Sequence, residues 1–386
     1  MNDVFMNTYH RLPVTFVSGE GAHLFDVNGK RYLDFGSGIA VNCLGHRHPA
    51  LLEAIKAQSE RLFHVSNYYQ NDTALLFAEK LTAAAKMKKV FLSNSGAEAN
   101  ECACKIVRKY SLMKYGEGRH TIVTLKGSFH GRTITMLSAT GQKRFHTNFG
   151  PFTEGFRFVE PNNIEELKNA LDDSVCGLLI EAIQGESGVI PQTNEFIAAA
   201  AKICDEKDIL LMFDEIQCGM GRTGAFFAFE QYGVKADIAT LAKGLAGGVP
   251  VGATLAGDKA CDVLVIGDHG STFGANPLAA ACGIAVLDTV NNSGFLRGIA
   301  EKGAYFMDKL ARLNNPKIKS IRGKGLIIGA DISMDAWPVL EKLLDRGLLV
   351  LSAGAKTLRF LPPYIINTDM IDEALNILNG VLDSQS

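Results

Sequence analysis

Three short stretches of the chain set a polar group where an apolar run stops. In "IATLAKGLAGG" (238–248) the run ends on Lys243 and then breaks into glycines. A lysine at the end of a core strand has two uses. It can snorkel, with its stem on apolar surface and its head in solvent. It can also be an amine that forms an imine, with burial lowering its pKa so that it can lose its proton. Flexible backbone after it would let a bulky group approach the chain. In "LLMFDEIQCGMGRTG" (210–224), Asp214 and Glu215 follow an apolar run. A carboxylate there suits a metal, a general base, a cofactor cation, an ion pair or a helix cap. No histidine or further acidic cluster is near in sequence, which disfavours a metal. In "SNSGAEAN" (93–100) a run ends at Ser95 and Gly96, where a helix starts. Free N–H groups and the helix dipole suit a phosphate there. An ordinary N-cap, serine with acidic Glu98 in the first turn, suits the same residues.

Taken together, the three ask for one ligand. A turn that holds phosphate, an aspartate that pairs with a protonated pyridine nitrogen and an imine-forming lysine are what pyridoxal 5'-phosphate needs. A competing motif, "GMGRTG" (219–224), fits G-x-G-x-x-G. A dinucleotide site needs its third glycine to open a helix packed on a sheet. The residues that follow, "AFFAFEQYG", are aromatic-rich, so a flexible active-site loop is the expectation. A nicotinamide-dependent oxidoreductase built on this motif, and a catalytically silent binding protein, are the rivals from other classes.

The elements that must position these groups follow from pattern. Strand-like apolar runs alternate with helical periodicity from about residue 60 to 275: "KKVFLSN", "HTIVTLKG", "GFRFVE", "VCGLLIEAI", "ILLMFDEI", "ADIATLAK" and "VGATLAG". Strands apolar on both faces and alternating with helices imply an α/β fold, a mostly parallel sheet covered on both sides. Before this block, Asn28-Gly29 in "HLFDVNGKRYLDF" marks a hairpin. After it, long helices and short strands predict a smaller α+β domain built from both ends of the chain.

Composition narrows the class. The 386 residues are 47% hydrophobic and 21% charged, with net charge −2, so no basic footprint for nucleic acid is present. No run reaches the ~18 apolar residues of a membrane span. The start, "MNDVFMNTYHRLPVTF", lacks a signal-peptide pattern. The eight cysteines sit in apolar settings, which suits a reducing cytosol. "CAC" at Cys102 and Cys104 is a poor metal pair, because residues two apart point to different helix faces. No metal is expected.

Over essentially its whole length the chain resembles the class III, or ornithine-type, pyridoxal-phosphate aminotransferases. The resemblance rests on "TYHRLPVTFVSGEG", "FLSNSGAEANE", "SFHGRT", "IEAIQGESGV", "DEIQCGMGRTG", "LAKGLAGGVPVGA", "HGSTFGANPLA", "GKGLIIG" and "LRFLPP", in that order. The family lysine is commonly followed by "GLGGG"; here Ala246 replaces one glycine. The resemblance implies the type I PLP-dependent transferase fold with a seven-stranded, mostly parallel sheet. It implies a large PLP-binding domain over 60–275 and a small domain from 1–59 and 276–386. It makes Lys243 the Schiff-base lysine and proton shuttle, puts Asp214 on the pyridinium nitrogen and Gln217 on the ring hydroxyl. Ser95, Gly96 and Ala97 would hold the phosphate, Phe129 would stack on the ring, and Thr272 would reach the cofactor phosphate of a neighbouring subunit in a homodimer. On the substrate side it implies Arg132 for the distal carboxylate, Arg359 for the α-carboxylate of glutamate, Glu186 as the cover of Arg359, and Tyr9 as a helper. N2-acetylornithine and 2-oxoglutarate are the implied substrates, in a cytoplasmic enzyme; ornithine, succinyl-diaminopimelate and 4-aminobutyrate are donors of related enzymes.

Overall fold

The computed structural model describes residues 4–385. Its centre is a seven-stranded sheet in the order Lys89–Ser93, Gly252–Ala256, Ile238–Leu241, Leu210–Asp214, Val175–Ile180, Thr121–Leu125, Phe156–Val159. Gly252–Ala256 runs antiparallel to both neighbours, and every other pairing is parallel. The fold is the α/β, type I PLP-dependent transferase fold expected from the sequence.

Strand periodicity explains why these runs are apolar throughout. Successive side chains of a strand point to opposite faces. Leu210 and Met212 pack in one core cluster with Cys102, Ile106 and Val107 of the helix Gly96–Tyr115. Leu211 and Phe213 pack in another with Phe196 and Ile197 of the helix Asn194–Glu206. Both faces are covered, so no face is left for polar residues.

The N-terminal hairpin forms as its Asn-Gly signal predicts. His23–Asp26 pairs with Arg31–Asp34, and Gly29 sits at φ 78° in the turn. The hairpin shares a sheet with Leu348–Leu349, paired parallel through Leu33 and Leu348. A second four-stranded sheet joins Ile318–Lys324, Ile327–Ile332, Thr357–Phe360 and Leu351–Ser352. The sequence pattern missed the helix Ile134–Ala139 and the two-residue strands Ile183–Gln184 and Ile190–Pro191, of which the strands matter below. Among the described residues no helix is long and apolar enough to cross a membrane.

Candidate active site

Parallel strands deliver their carboxyl ends to one edge of the sheet, where α/β folds bind ligands. Asp214 ends one strand, Glu181 follows Val175–Ile180, and Lys243 follows Ile238–Leu241. The Ser95–Gly96 turn follows Lys89–Ser93. A cavity of about 430 Å³ opens there, lined by Ser95, Gly96, Ala97, Phe129, His130, Arg132, Glu181, Asp214, Ile216, Gln217, Lys243 and Gly248, among others.

The turn carries a serine N-cap. Ser95 Oγ accepts from the Glu98 amide at 3.2 Å, and the Glu98 carboxylate accepts from the Asn94 amide at 2.9 Å. The N-cap reading of this turn is thus observed, and Ser95, Gly96 and Ala97 at the start of the helix line the cavity. The cradle has no room for added side chains. A Cβ on Gly252 would lie 2.3 Å from the Ser95 carbonyl oxygen, and one on Gly96 2.7 Å from Ile216 Cδ1.

Asp214 is 3% exposed and well partnered. Its Oδ2 accepts from His130 Nδ1 and Asn100 Nδ2, both at 2.8 Å, and its Oδ1 accepts from the Ile216 amide at 3.1 Å. Thr240 Oγ1 donates to Asn100 Oδ1 at 2.7 Å, so Asn100 is held from behind. Glu215, next in sequence, turns away into the core and accepts from the amides of Ala228 and Phe229.

Lys243 opens a 3₁₀ turn with φ +47°, a left-handed conformation uncommon outside glycine. Among the described residues no carboxylate pairs with its amine. Burial pushes its pKa down; the Glu186 carboxylate opposes this, the Arg359 charge reinforces it, and the balance stays below the ordinary lysine value. The glycines behind it differ from expectation. A Cβ on Gly247 would meet Leu51 at 2.6 Å, and one on Gly244 would face Ala40 and Cys43. Of the three, Gly248 alone lines the cavity.

The remaining expected residues fall into two groups. Arg359 and Glu186 are joined at 2.6 Å beside the cavity. Gln217 bridges them to it: its Oε1 accepts from Arg359 at 3.0 Å and its Nε2 donates to Glu186 at 3.2 Å. Burial raises the Glu186 pKa, but the charge and hydrogen bond of Arg359 outweigh it, leaving the carboxyl below its ordinary value. Arg132 stands at the rim with its guanidinium 4.0 Å from the Phe145 ring centroid and 5.4 Å from that of Phe129. Thr272 and Tyr9 are exposed and lie outside this cavity.

Four residues were missed in the sequence: His130, Asn100, Thr240 and Glu181. Glu181 is 5% exposed, and its Oε2 accepts from the Phe129 amide at 3.0 Å. Burial and the negative charge of Asp214 push its pKa well above the ordinary range. Its signal was a carboxylate inside "VCGLLIEAI", the same kind of signal that marked Asp214.

The "GMGRTG" segment, expected as a flexible active-site loop, is packed into the interior instead, and none of its residues lines the cavity. Met220, Arg222 and Thr223 are buried, and Arg222 Nη1 donates to the carbonyls of Leu326 and Pro362. No helix opens at Gly224 to receive a dinucleotide phosphate.

The class III aminotransferase family model matches residues 4–382. The chain belongs to the class III aminotransferases. It is 51% identical over 381 residues to the acetylornithine aminotransferase of Caldanaerobacter subterraneus subsp. tengcongensis, covering 98% of this chain and 96% of that one. The N-acetylornithine aminotransferase structure from Stenotrophomonas maltophilia superposes with TM-score 0.86 at 36% identity, over 97% of each chain. An ornithine aminotransferase from Toxoplasma gondii, with PLP at partial occupancy in its active site, superposes with TM-score 0.94 at 33% identity, over 98% of this chain and 92% of that one. The protein is therefore a PLP-dependent aminotransferase. The residues present fit that cofactor: a cradle closed to side chains at Gly96 and Gly252, a buried aspartate, and an unpaired amine of lowered pKa meet at one cavity.

Proposed function

We propose that this aminotransferase moves the terminal amino group of N2-acetylornithine to 2-oxoglutarate, giving N-acetylglutamate semialdehyde and glutamate. The observation that carries this reading is the Arg359–Glu186 pair at 2.6 Å beside the cavity. The donor reacts at an amine far from its carboxylate, whereas the acceptor reacts at the carbonyl next to its carboxylate. One fixed, uncovered arginine does not serve both. A covered arginine does, if Glu186 neutralises Arg359 while the donor is bound and turns away for 2-oxoglutarate. Arg132 takes the distal carboxylate of both through its planar fork.

Bound pyridoxal phosphate supplies the electron sink for a broken C–H bond. The chain's residues do the rest. Asp214, oriented by His130 and Asn100, would pair with the pyridinium nitrogen. Ser95, Gly96 and Ala97 would take the phosphate, Phe129 would stack on the ring, and Gln217 would serve its hydroxyl. Lys243 Nζ, its pKa lowered by burial, would take the proton from the donor carbon and pass it to the bound cofactor within the same half-reaction, and would run that transfer in reverse for the acceptor.

We further assign a homodimer, in the cytoplasm. Thr272 is exposed between Ser271, which accepts from Asn94 at 3.1 Å, and Phe273, which is 63% exposed. This exposure supports the reading in which Thr272 reaches a second copy's cofactor phosphate. Tyr9 joins the substrate side. We also divide the chain into a large domain over 60–275 and a small one over 1–59 with 276–386, a reading that the separate sheets support.

Single-turnover spectra separate the halves. Arg359→Ala should slow the half-reaction with 2-oxoglutarate more than that with N2-acetylornithine, by roughly 2–5 kcal/mol, the cost of losing one partner of a buried charged pair. Equal losses in both would remove Arg359 from the switch. A donor panel including ornithine, compared by kcat/KM, fixes the donor.

A further inference from the structure

Glu186 sits on the turn that joins Ile183–Gln184 to Ile190–Pro191. The backbone of this turn is unusual. Gly188 has φ +121°, and Val189, β-branched and fully buried, has φ +57°. Something must hold it. Arg322, on the strand Ile318–Lys324, donates from Nε to the Gly188 carbonyl at 2.8 Å. Its other two nitrogens form a fork on Asp331, at 2.6 and 2.8 Å. Thr357 Oγ1 donates to the same carboxylate at 2.6 Å. Burial opposes but does not outweigh these bonds, and the Asp331 carboxyl is held well below its usual range, with the hydrogen bond from Arg322 as the leading cause.

The clamp belongs to the sheet that carries Arg359. Asp331 pairs with Thr357 and Gly329 with Arg359 across adjacent strands. The turn also lies flush on Gly329, where a Cβ would be 2.8 Å from Val189 Cβ. The two ends of the Arg359–Glu186 pair are therefore fixed to one platform, Arg359 through its strand and Glu186 through Arg322. Arg322 does not line the cavity.

We propose that Arg322 is a positioning residue that sets the balance between donor and acceptor by fixing the turn that carries Glu186. The proposal rests on the Glu186 switch described above. With Arg322 in place, backbone motion at Gly188 is blocked, and Glu186 uncovers Arg359 by side-chain rotation alone. Without it, the turn loosens, Glu186 covers Arg359 less of the time, and the site favours glutamate over the ω-amine.

The test measures both half-reactions in the holoenzyme by single-turnover spectra. Arg322→Ala should raise the rate with glutamate relative to that with N2-acetylornithine by about three- to thirtyfold, the range of couplings carried by residues that touch neither ligand. Glu186→Ala should raise the ratio at least as much, and adding Arg322→Ala to it should change nothing further. Arg322→Lys and Asp331→Asn keep most of the volume and should shift the ratio the same way by a smaller factor. If Glu186→Ala moves the ratio but neither of these two does, the inference fails whether or not Arg322→Ala folds. Equal slowing of both halves by Arg322→Ala also overturns it and leaves the residue a purely structural one. If Glu186→Ala itself leaves the ratio unchanged, the switch fails, and the inference with it.

Discussion

Asp214 and Glu215 are neighbours with opposite environments. Asp214 meets donors at the cavity, whereas Glu215 is fully buried and accepts from Ala228 at 2.8 Å and Phe229 at 3.0 Å. Burial pushes the Glu215 pKa from 4.5 up to about 8, against the pull of those amides. The folded state therefore holds a proton that the unfolded state has released between about pH 4.5 and 8. Stability must fall as pH rises through that window, by up to about 1.4 kcal/mol per unit from this one group. Glu215→Gln should flatten that part of the profile. Urea midpoints of both proteins at pH 5 and 7.5 measure it; identical slopes would show Glu215 ionised throughout. Lys243 and Asp214 stood out because each breaks an apolar run, although Glu181 breaks one too and was missed. His130 and Asn100 gain their meaning from Asp214, which lies far away in sequence, and no local pattern records that approach.

At the scale of elements, the strand Gly252–Ala256 does more than fill the sheet. Its first residue abuts the Ser95–Gly96 turn, 2.3 Å from the Ser95 carbonyl for an added Cβ and 2.6 Å from Ser93 Oγ. These are atoms of a backbone and a short side chain, which cannot yield as a long side chain does. Gly252→Ala should therefore displace the turn, at the roughly 1–3 kcal/mol typical of overpacking. The expected result is faster loss of cofactor absorbance on dilution, with unchanged far-UV circular dichroism. Retention equal to that of the parent would show that the turn tolerates displacement. Strands and helices were legible wherever periodicity ran for several residues. The strands Ile183–Gln184 and Ile190–Pro191 were not, because two residues carry no period. Yet they bear Glu186 between them.

At the scale of the molecule, one side chain ties the loop 219–224 to the sheet that carries Arg359. Arg222 is fully buried, lies 4.4 Å from the Tyr364 ring centroid and donates to the carbonyls of Leu326 at 3.1 Å and Pro362 at 2.5 Å. An arginine in a glycine-rich stretch reads as a surface residue or a phosphate ligand, so this use was invisible in sequence. Arg222→Ala would leave two carbonyls without donors and open a cavity. The expected cost is about 3 kcal/mol or more, read as a lower urea midpoint. A midpoint within error of the parent would show that water replaces the guanidinium.

The strand order also has a consequence in time. Lys89–Ser93 is an edge strand, and its sole neighbour in the sheet is Gly252–Ala256. Ser93 meets Gly252 in register. A chain emerging from the ribosome has therefore made the helix Gly96–Tyr115 and its capping serine long before it makes the strand that anchors them. Closing so large a loop is entropically slow, and nothing local compensates. The Ser95–Gly96 turn is thus among the last parts of this edge of the sheet to be finished. In the binding mode proposed above, pyridoxal phosphate needs the turn that this strand abuts. It arrives at a completed chain and stabilises it by mass action, in proportion to the logarithm of its free concentration.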